Sequence, residues 1–445
     1  MPGRTSWLIR GGRVIDPANG VDQVADISIR DGVIGEAPAD SGLDHVHELD
    51  ATGLIVCPGF IDLHVHLREP GFEAKETVAT GTEAAAAGGF TGVCCMPNTN
   101  PALDSVAVLG QLAETVERDA QVRVWPIATI TEGRLGTEAV DFDGLAAAGA
   151  IGFSDDGDTT ADSQLMRRAL EASARLDRPV MVHCEDKALA AGSMHEGEIS
   201  RELGLKGIPA EAEEIIIARD LMLARLTGGW LHVCHVSTAR GAELVRQAKA
   251  DGVRVTAEVM PHHLVMDAGW VAGRRNMCNT DAKDGPPPPV IPDPQAKVNP
   301  PLRTRADTAE LVAALKDGTF DVIATDHAPH AEAEKGGSTF EAAAFGMSGL
   351  ELALPVLLAL VRAGHLSLTE LITKIAWEPA RLLRSGLGTV KPGAPADVVV
   401  FDPEERWEVS RETLRSKSAN TPLLGMEVQG RVRLTLVDGE ERYHA

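Results

Sequence analysis

Aromatic side chains are scarce. They make up 4% of 445 residues, with a single tyrosine, Tyr443. So little stacking surface argues against single-stranded nucleic acid as a partner. Positive charge is also in deficit. Lys and Arg number 42 against 65 Asp and Glu, a formal net charge of −23. Neither nucleic acid nor an anionic membrane surface is therefore an expected partner. Long apolar runs are missing: no stretch reaches the length of a membrane span, and residues 1–10 lack the apolar core of a signal peptide. The cysteines, Cys57, Cys94, Cys95, Cys184, Cys234 and Cys278, are scattered and mostly sit inside apolar runs. Reduced, buried thiols and a cytoplasmic setting are expected, not a disulfide framework. No Gly-x-Gly-x-x-Gly follows the first strand of the central region, which weakens a dinucleotide-binding reading. What remains is an acidic, soluble protein acting on a small molecule. If that molecule is an anion, positive charge must be concentrated in its site.

The chain, at 47.1 kDa, is long enough for two or three domains, or for one α/β barrel with additions. Its two ends read as short strands. Trp7–Arg10, Gly12–Ile15 and Ala25–Ile29 precede or flank the turn Asp31-Gly32; Asp397–Phe401 and Arg431–Val437 precede the turn Asp438-Gly439. A small β-sandwich-like domain assembled from both termini, residues 1–56 and 388–445, is expected. The middle alternates. Apolar runs near 61–66, 90–96, 122–128, 150–154, 179–184, 230–236, 253–259 and 320–325 are mostly separated by helix-like stretches. These stretches include Thr80–Ala87, Ser163–Leu176, Glu211–Leu226 and Ala242–Ala250. Such alternation indicates parallel βαβ units, and eight strands fit a (β/α)8 TIM barrel over residues 57–387. A doubly wound open sheet is the second choice. The segment Asp281–Gln295 is too rich in proline for a helix and too long for a routine connection; an extended loop is expected there.

Barrel catalysts project from the C-terminal ends of strands. The first run ends in His64-Val-His66, two imidazoles on one strand face. The same spacing occurs at His45-Val-His47, but without an apolar strand before it, so a solvated face is the better reading there. Further runs end in His183, in His232-Val-Cys-His235, in Asp155-Asp156 and in Asp326. Strand alternation lets one of His232 and His235 point inward; His235, nearer the end, is the choice. Cys184 and Cys234 then face the opposite side and pack. Four imidazoles and two carboxylates exceed what one tetrahedral zinc needs. They suit two metals about 3.5–4 Å apart that share a carboxylate and a hydroxide. Buried polar residues satisfied by one another are the alternative, and six such groups would each demand a partner. Spacing does not separate Asp155 from Asp156.

One stretch, Pro58-Gly-Phe-Ile-Asp-Leu-His-Val-His-Leu-Arg-Glu-Pro-Gly-Phe-Glu-Ala-Lys-Glu76, resembles the dihydroorotases of the amidohydrolase superfamily, in their longer bacterial type. Matching segments include Gly88–Asn98, Phe153–Gly157, His183–Asp186, His235–Thr238, Pro261–Leu264, Asn299–Arg303 and Ala324–His330. The resemblance runs from about residue 7 to 437. It implies a two-zinc barrel enzyme of pyrimidine biosynthesis that interconverts N-carbamoyl-L-aspartate and L-dihydroorotate. By motif match, His64, His66 and Asp326 hold one Zn2+, His183 and His235 the other, and Asp156 bridges them together with hydroxide. Residues 145–160 contain no lysine, which fits a bridge made by aspartate and not by carboxylated lysine. Asp326 is implied as the catalytic base and acid. Metal binding should keep it ionised.

For the substrate, Arg68 offers a fork for a carboxylate and Asn98 can support it. The resemblance adds His66, Asn299, His330 and the backbone at Phe345-Gly346. His262 and His263 read as structural or as supports of the ligands; His195, His365 and His444 carry no signal. A homodimer, and assembly with aspartate transcarbamoylase, are implied as partners beside the small-molecule substrate. Two other readings remain. One is a different cyclic amidase, an allantoinase or a dihydropyrimidinase/hydantoinase, whose substrates lack the carboxylate that Arg68 would clamp. The other is a non-catalytic scaffold subunit of aspartate transcarbamoylase, which would have lost metal ligands that are all present here. The proline-rich stretch departs from the family pattern, which passes to Lys297-Val-Asn299 by a shorter connection.

Overall fold

The computed structural model describes residues 6–36, 46–278, 291–337 and 339–445. Eight parallel strands form the centre: Phe60–Val65, Phe90–Cys95, Arg123–Ala128, Gly152–Phe153, Val180–Val182, Leu231–Val233, Val255–Val259 and Val322–Ile323. Each coincides with an apolar run expected to be a strand, the first beginning one residue earlier at Phe60. The strands stand side by side in chain order. The last returns to the first where Val65 bridges His327 and the His66 amide donates to the His327 carbonyl at 2.9 Å. The result is a barrel. Strands covered on both faces need apolar residues on both, so they read as continuous runs and not as alternation.

Helices cover the outside, and local chemistry sets their ends. The Asp162 side chain accepts from the amides of Gln164 and Leu165 and starts helix Ser163–Leu176, which Asp177 ends in the left-handed region. Helix Glu211–Thr227 carries Glu211, Glu213 and Glu214 in its first turn and Arg225 in its last, as the helix dipole favours. Thr238 caps helix Ala239–Ala250 by accepting from the Gly241 amide. The barrel interior is plugged by Ile61, Leu63, Cys94, Met96, Ile127, Met181, Cys234 and Val322. This plug confines the chemistry to the strand ends.

Both chain ends join one further eight-stranded sheet. It contains strand Ser6–Asp16, paired antiparallel with Val21–Arg30 and parallel with Val46–Asp50 and Ile55–Pro58. The C-terminal strands Val398–Glu408, Glu427–Val437 and Glu440–His444 complete it through antiparallel pairing of Val398–Phe401 with Ile55–Pro58. The sheet has its own apolar core, including Trp7, Ile9, Ile27, Ile29, Val398 and Leu436. Trp7 Nε1 donates to the Gly439 carbonyl at 3.1 Å, pinning the first strand to the last hairpin. His47 lies on an exposed strand position, as expected, while Asp44 and His45 lie outside the described residues. Residues 281–290 of the proline-rich stretch also lie outside them; Pro294–Ala296 form a short 3-10 turn. All six cysteines are buried and free. Among the described residues, no helix is long and apolar enough to cross a membrane.

Candidate metal and substrate site

The strand ends bring the expected ligands together. His64 Nε2 lies 3.4 Å from Asp156 Oδ1 and 3.6 Å from Asp326 Oδ1. His66 Nε2 lies 2.9 Å from Asp326 Oδ1 and 3.5 Å from Asp156 Oδ2. On the other side of Asp156, His235 Nε2 is 3.6 Å and His183 Nδ1 is 3.8 Å from Oδ1, and these two ring nitrogens are 3.0 Å apart. Among the described residues three groups of potential ligand atoms occur, and two of them, His64–His66–Asp156 and Asp156–His183–His235, share Asp156.

The residues fit a bound metal on three observations. His64 Nε2 and Asp156 Oδ1 are buried and have no hydrogen-bond partner, a costly state unless a cation lies between them. Burial, followed by Arg68, holds the His66 imidazole below its ordinary pKa, so its ring is available as a neutral ligand. Burial would raise the Asp156 carboxyl, but His64, His235 and His66 outweigh it and hold the group well below the usual carboxylate range. Asp326 is lowered in the same way, with burial opposed chiefly by His66 and His64.

Asp155, the alternative left open by spacing, is occupied elsewhere. It accepts from the Ile130 and Thr131 amides and from the hydroxyls of Thr131 and Thr160. Its work is to tie the fourth strand end to the third.

A cavity of about 380 Å³ opens above the cluster. Arg68, Asn98, Asn299, His330, Phe345 and Gly346 all line it, as do His66, Asp156, His183, His235 and Asp326; His64 lies buried beneath. Arg68 Nε donates to the Pro329 carbonyl at 3.2 Å, and burial pulls its guanidinium down to about 10, still charged at neutral pH. Asn98 Oδ1 accepts from His66 Nδ1 at 2.8 Å. The Asn299 amide lies 3.3 Å from His183 Nε2. Gly346 has a φ of +130°, and a Cβ there would stand 2.7 Å from Ala328 Cβ and 3.3 Å from His330 Nε2. Only glycine leaves that wall open.

Backbone strain marks the same residues. Arg68, His235 and Asp326 have φ of +62°, +34° and +48°, a region that side-chain-bearing residues rarely adopt. This geometry corrects one expectation. The sixth strand stops at Val233, so alternation no longer governs His235. Its left-handed backbone turns it into the site, while His232 also points inward and bonds Glu258 at 3.1 Å. Both histidines therefore face the interior. Cys234 does too: it belongs to the interior plug and lies with His64 and Glu258 in one group of potential ligand atoms.

Sequence reasoning passed over Glu258, Glu185 and Lys187. Glu258 is fully buried and accepts from His64 Nδ1 at 2.6 Å. A lone carboxylate in the middle of the apolar run Val253–Val259 was the signal for it. Glu185 and Lys187 pair at 2.8 Å on the cavity rim, and no spacing rule distinguishes them from surface charge.

The chain was also compared with known proteins. The family pattern described as Dihydro-orotase-like matches residues 53–241. A protein of Geobacter sp. (strain M21) named dihydroorotase is 46% identical over 442 residues, covering 98% of this chain and 99% of its own. Another of that name, from Pelotomaculum thermopropionicum, is 47% identical over 434 residues, 97% of each chain. Among solved structures, the L-hydantoinase (dihydropyrimidinase) of Arthrobacter aurescens superposes with a TM-score of 0.83 at 25% identity, covering 98% of this chain and 95% of that one. The D-hydantoinase of a Bacillus sp. AR9 gives 0.80 at 27% identity, with 98% and 95% covered.

Proposed function

The chain belongs to the dihydroorotase family of amidohydrolases, and on that premise we propose how its own residues carry the reversible cyclisation of N-carbamoyl-L-aspartate to L-dihydroorotate. One observation supports the substrate most directly. Arg68 is buried in the cavity, and among the described residues no carboxylate lies within ion-pair distance of it. A buried, unpaired guanidinium is costly, and a substrate carboxylate satisfies it. Dihydroorotate and carbamoyl aspartate both carry that group, whereas the neutral rings of dihydropyrimidinase and allantoinase substrates do not.

The ligands would be His64, His66 and Asp326 for one metal and His183 and His235 for the other, with Asp156 between them. Two zinc ions fit this set of nitrogen and carboxylate donors. Bound there, they supply Lewis acidity and activate water near neutral pH. The chain does the rest. Arg68 holds the substrate carboxylate, with Asn98 beside it holding His66 in place. Asn299, His330 and the backbone at Phe345-Gly346 enclose the ring and exclude bulk water. Asp326, 2.9 Å from His66 Nε2, takes the proton of the attacking water at its carboxylate oxygen and returns it to the ring nitrogen that leaves during hydrolysis. In the biosynthetic direction the same oxygen receives the proton shed by the attacking ureido nitrogen. A homodimer, association with aspartate transcarbamoylase, a cytoplasmic setting and the division into residues 57–387 and a composite terminal domain belong to the same reading. Light scattering with and without the transcarbamoylase tests the assembly part.

The test of substrate is a parallel assay of zinc-loaded protein on L-dihydroorotate, 5,6-dihydrouracil and allantoin. Preference for L-dihydroorotate is expected. Faster turnover of either neutral ring would replace this reading with a hydantoinase or allantoinase one.

A further inference from the structure

Glu258 touches no part of the substrate cavity, yet both of its oxygens are bonded beside the metal ligands. It lies on the seventh barrel strand, two residues beyond Thr256, so both side chains face the interior. Its Oε1 accepts from His64 Nδ1 at 2.6 Å and its Oε2 from His232 Nε2 at 3.1 Å. His232 Nδ1 lies 2.8 Å from Thr256 Oγ1, which also accepts from Trp230 Nε1 at 2.9 Å. Trp230 precedes the sixth strand, at the barrel end opposite the site. There it and His232 line a separate cavity of about 120 Å³.

The chain of bonds has one direction. An indole N–H donates and never accepts. The Glu258 carboxylate can only accept, so the hydrogen of His232 is on Nε2. The bare Nδ1 of the neutral ring then accepts from the Thr256 hydroxyl, whose oxygen takes the indole bond. The carboxylate, with both oxygens accepting, draws the hydrogen of His64 to Nδ1. That leaves His64 Nε2 bare, and this is the buried ring nitrogen without a partner in the ligand cluster. From this geometry we infer that Glu258 is the positioning residue for His64, held in place by Trp230, Thr256 and His232 in a single-direction hydrogen-bond chain from the opposite end of the barrel. The inference rests on the metal-site reading above. It assigns to four residues outside the ligand set the task of fixing one ligand's tautomer and ring orientation.

Two independent readouts test it. In metal-free, 15N-histidine-labelled protein held at a pH above the titration of His64, the neutral ring should show a protonated Nδ1 and a bare Nε2, with the resonance assigned by its loss in His64→Gln. Zinc affinity, measured by chelator competition, should fall 10- to 100-fold in Glu258→Gln, whose amide accepts at one atom only. It should fall about threefold in Thr256→Val and recover in Thr256→Ser, an expectation scaled down from the same range for a more remote group. KM for dihydroorotate at saturating zinc should stay within about twofold of wild type in all three, since none touches the cavity. A folded Glu258→Gln with wild-type zinc affinity would overturn the inference, as would a neutral His64 that carries its hydrogen on Nε2. Should Glu258→Gln fail to fold, the Thr256 pair decides: equal affinities in valine and serine variants overturn it. Failure of the wild type itself to bind zinc would refute the metal-site reading instead, while the tautomer measurement would still judge the chain.

Discussion

Arg68 and His330 stand 262 positions apart in sequence, and their side chains meet with Nη2 3.5 Å from Nε2. His330 Nε2 donates to the Phe345 carbonyl at 2.8 Å. Burial, then Arg68, pushes the His330 imidazole down to about 2, so a neutral ring sits beside the guanidinium and adds no repelling charge. One cation, with no carboxylate at ion-pair distance among the described residues and a neutral ring beside it, is a receptor for a single carboxylate.

Arg68→Met should therefore raise KM for L-dihydroorotate by roughly 100- to 1,000-fold, the equivalent of about 3–4 kcal/mol for a lost charge-assisted pair. Zinc content should be unchanged, because no ligand contacts the guanidinium. Steady-state kinetics with metal analysis of the same sample checks both. Loss of zinc would show that Arg68 serves the metal centre.

Asp155 and Asp156 should separate cleanly on mutation. Asp156→Asn should lose bound metal and activity while melting near the wild type. Asp155→Asn replaces one oxygen by an amide donor that faces two of the four donors, so it should cost about 1–3 kcal/mol of stability. Paired zinc analysis and thermal melting distinguish the two, and identical behaviour would contradict the assignment.

Chelation should remove activity reversibly, with two equivalents of zinc restoring it. It should also become easier as pH falls. Burial opposes a charge on His64, but Asp156 and Glu258 outweigh it and raise its pKa well above the ordinary value. A proton then competes with the metal for Nε2, and lower pH favours the proton. Zinc-release rates measured from pH 8 to 6 should rise, and restoration by one equivalent would refute the paired site.

Lys335 gives a stability signature far from the metals. It is fully buried, donating to the carbonyls of Lys297 at 2.6 Å and Ala344 at 2.8 Å, and so ties the Phe345-Gly346 wall to the Asn299 segment. Burial, aided by Lys297, lowers it to about 7. Between about pH 7 and the unfolded value of about 10.4 the unfolded chain binds the extra proton. Stability from this group therefore rises with pH across that window and is withdrawn as pH drops toward 7. The melting temperature of wild type relative to Lys335→Met should climb from pH 7 to 10. A flat difference would mean the lysine stays charged when buried.

Much of this was legible in the chain itself. The eight apolar runs became the eight barrel strands because a strand covered on both faces must be apolar throughout. His64 and His66 shared a face because alternation holds from His64 to His66, although the first strand shifts register against the second between Asp62 and Val65. Alternation failed where strands stop. At His235, a φ of +34° redirects the side chain, so a count along the sequence assigned Cys234 and His232 to the wrong side. The choice of Asp156 over Asp155 also lay beyond spacing, because it depends on donors from Ile130, Thr131 and Thr160 that only the folded third strand end delivers. Sequence by itself determined the elements, the ligand types and the acidic exterior, since these follow from local periodicity and side-chain chemistry. Tertiary structure alone decided which carboxylate stands between the two histidine pairs, which histidines converge and how Glu258 reaches His64, because hydrogen bonds between distant strands are set by closure of the barrel.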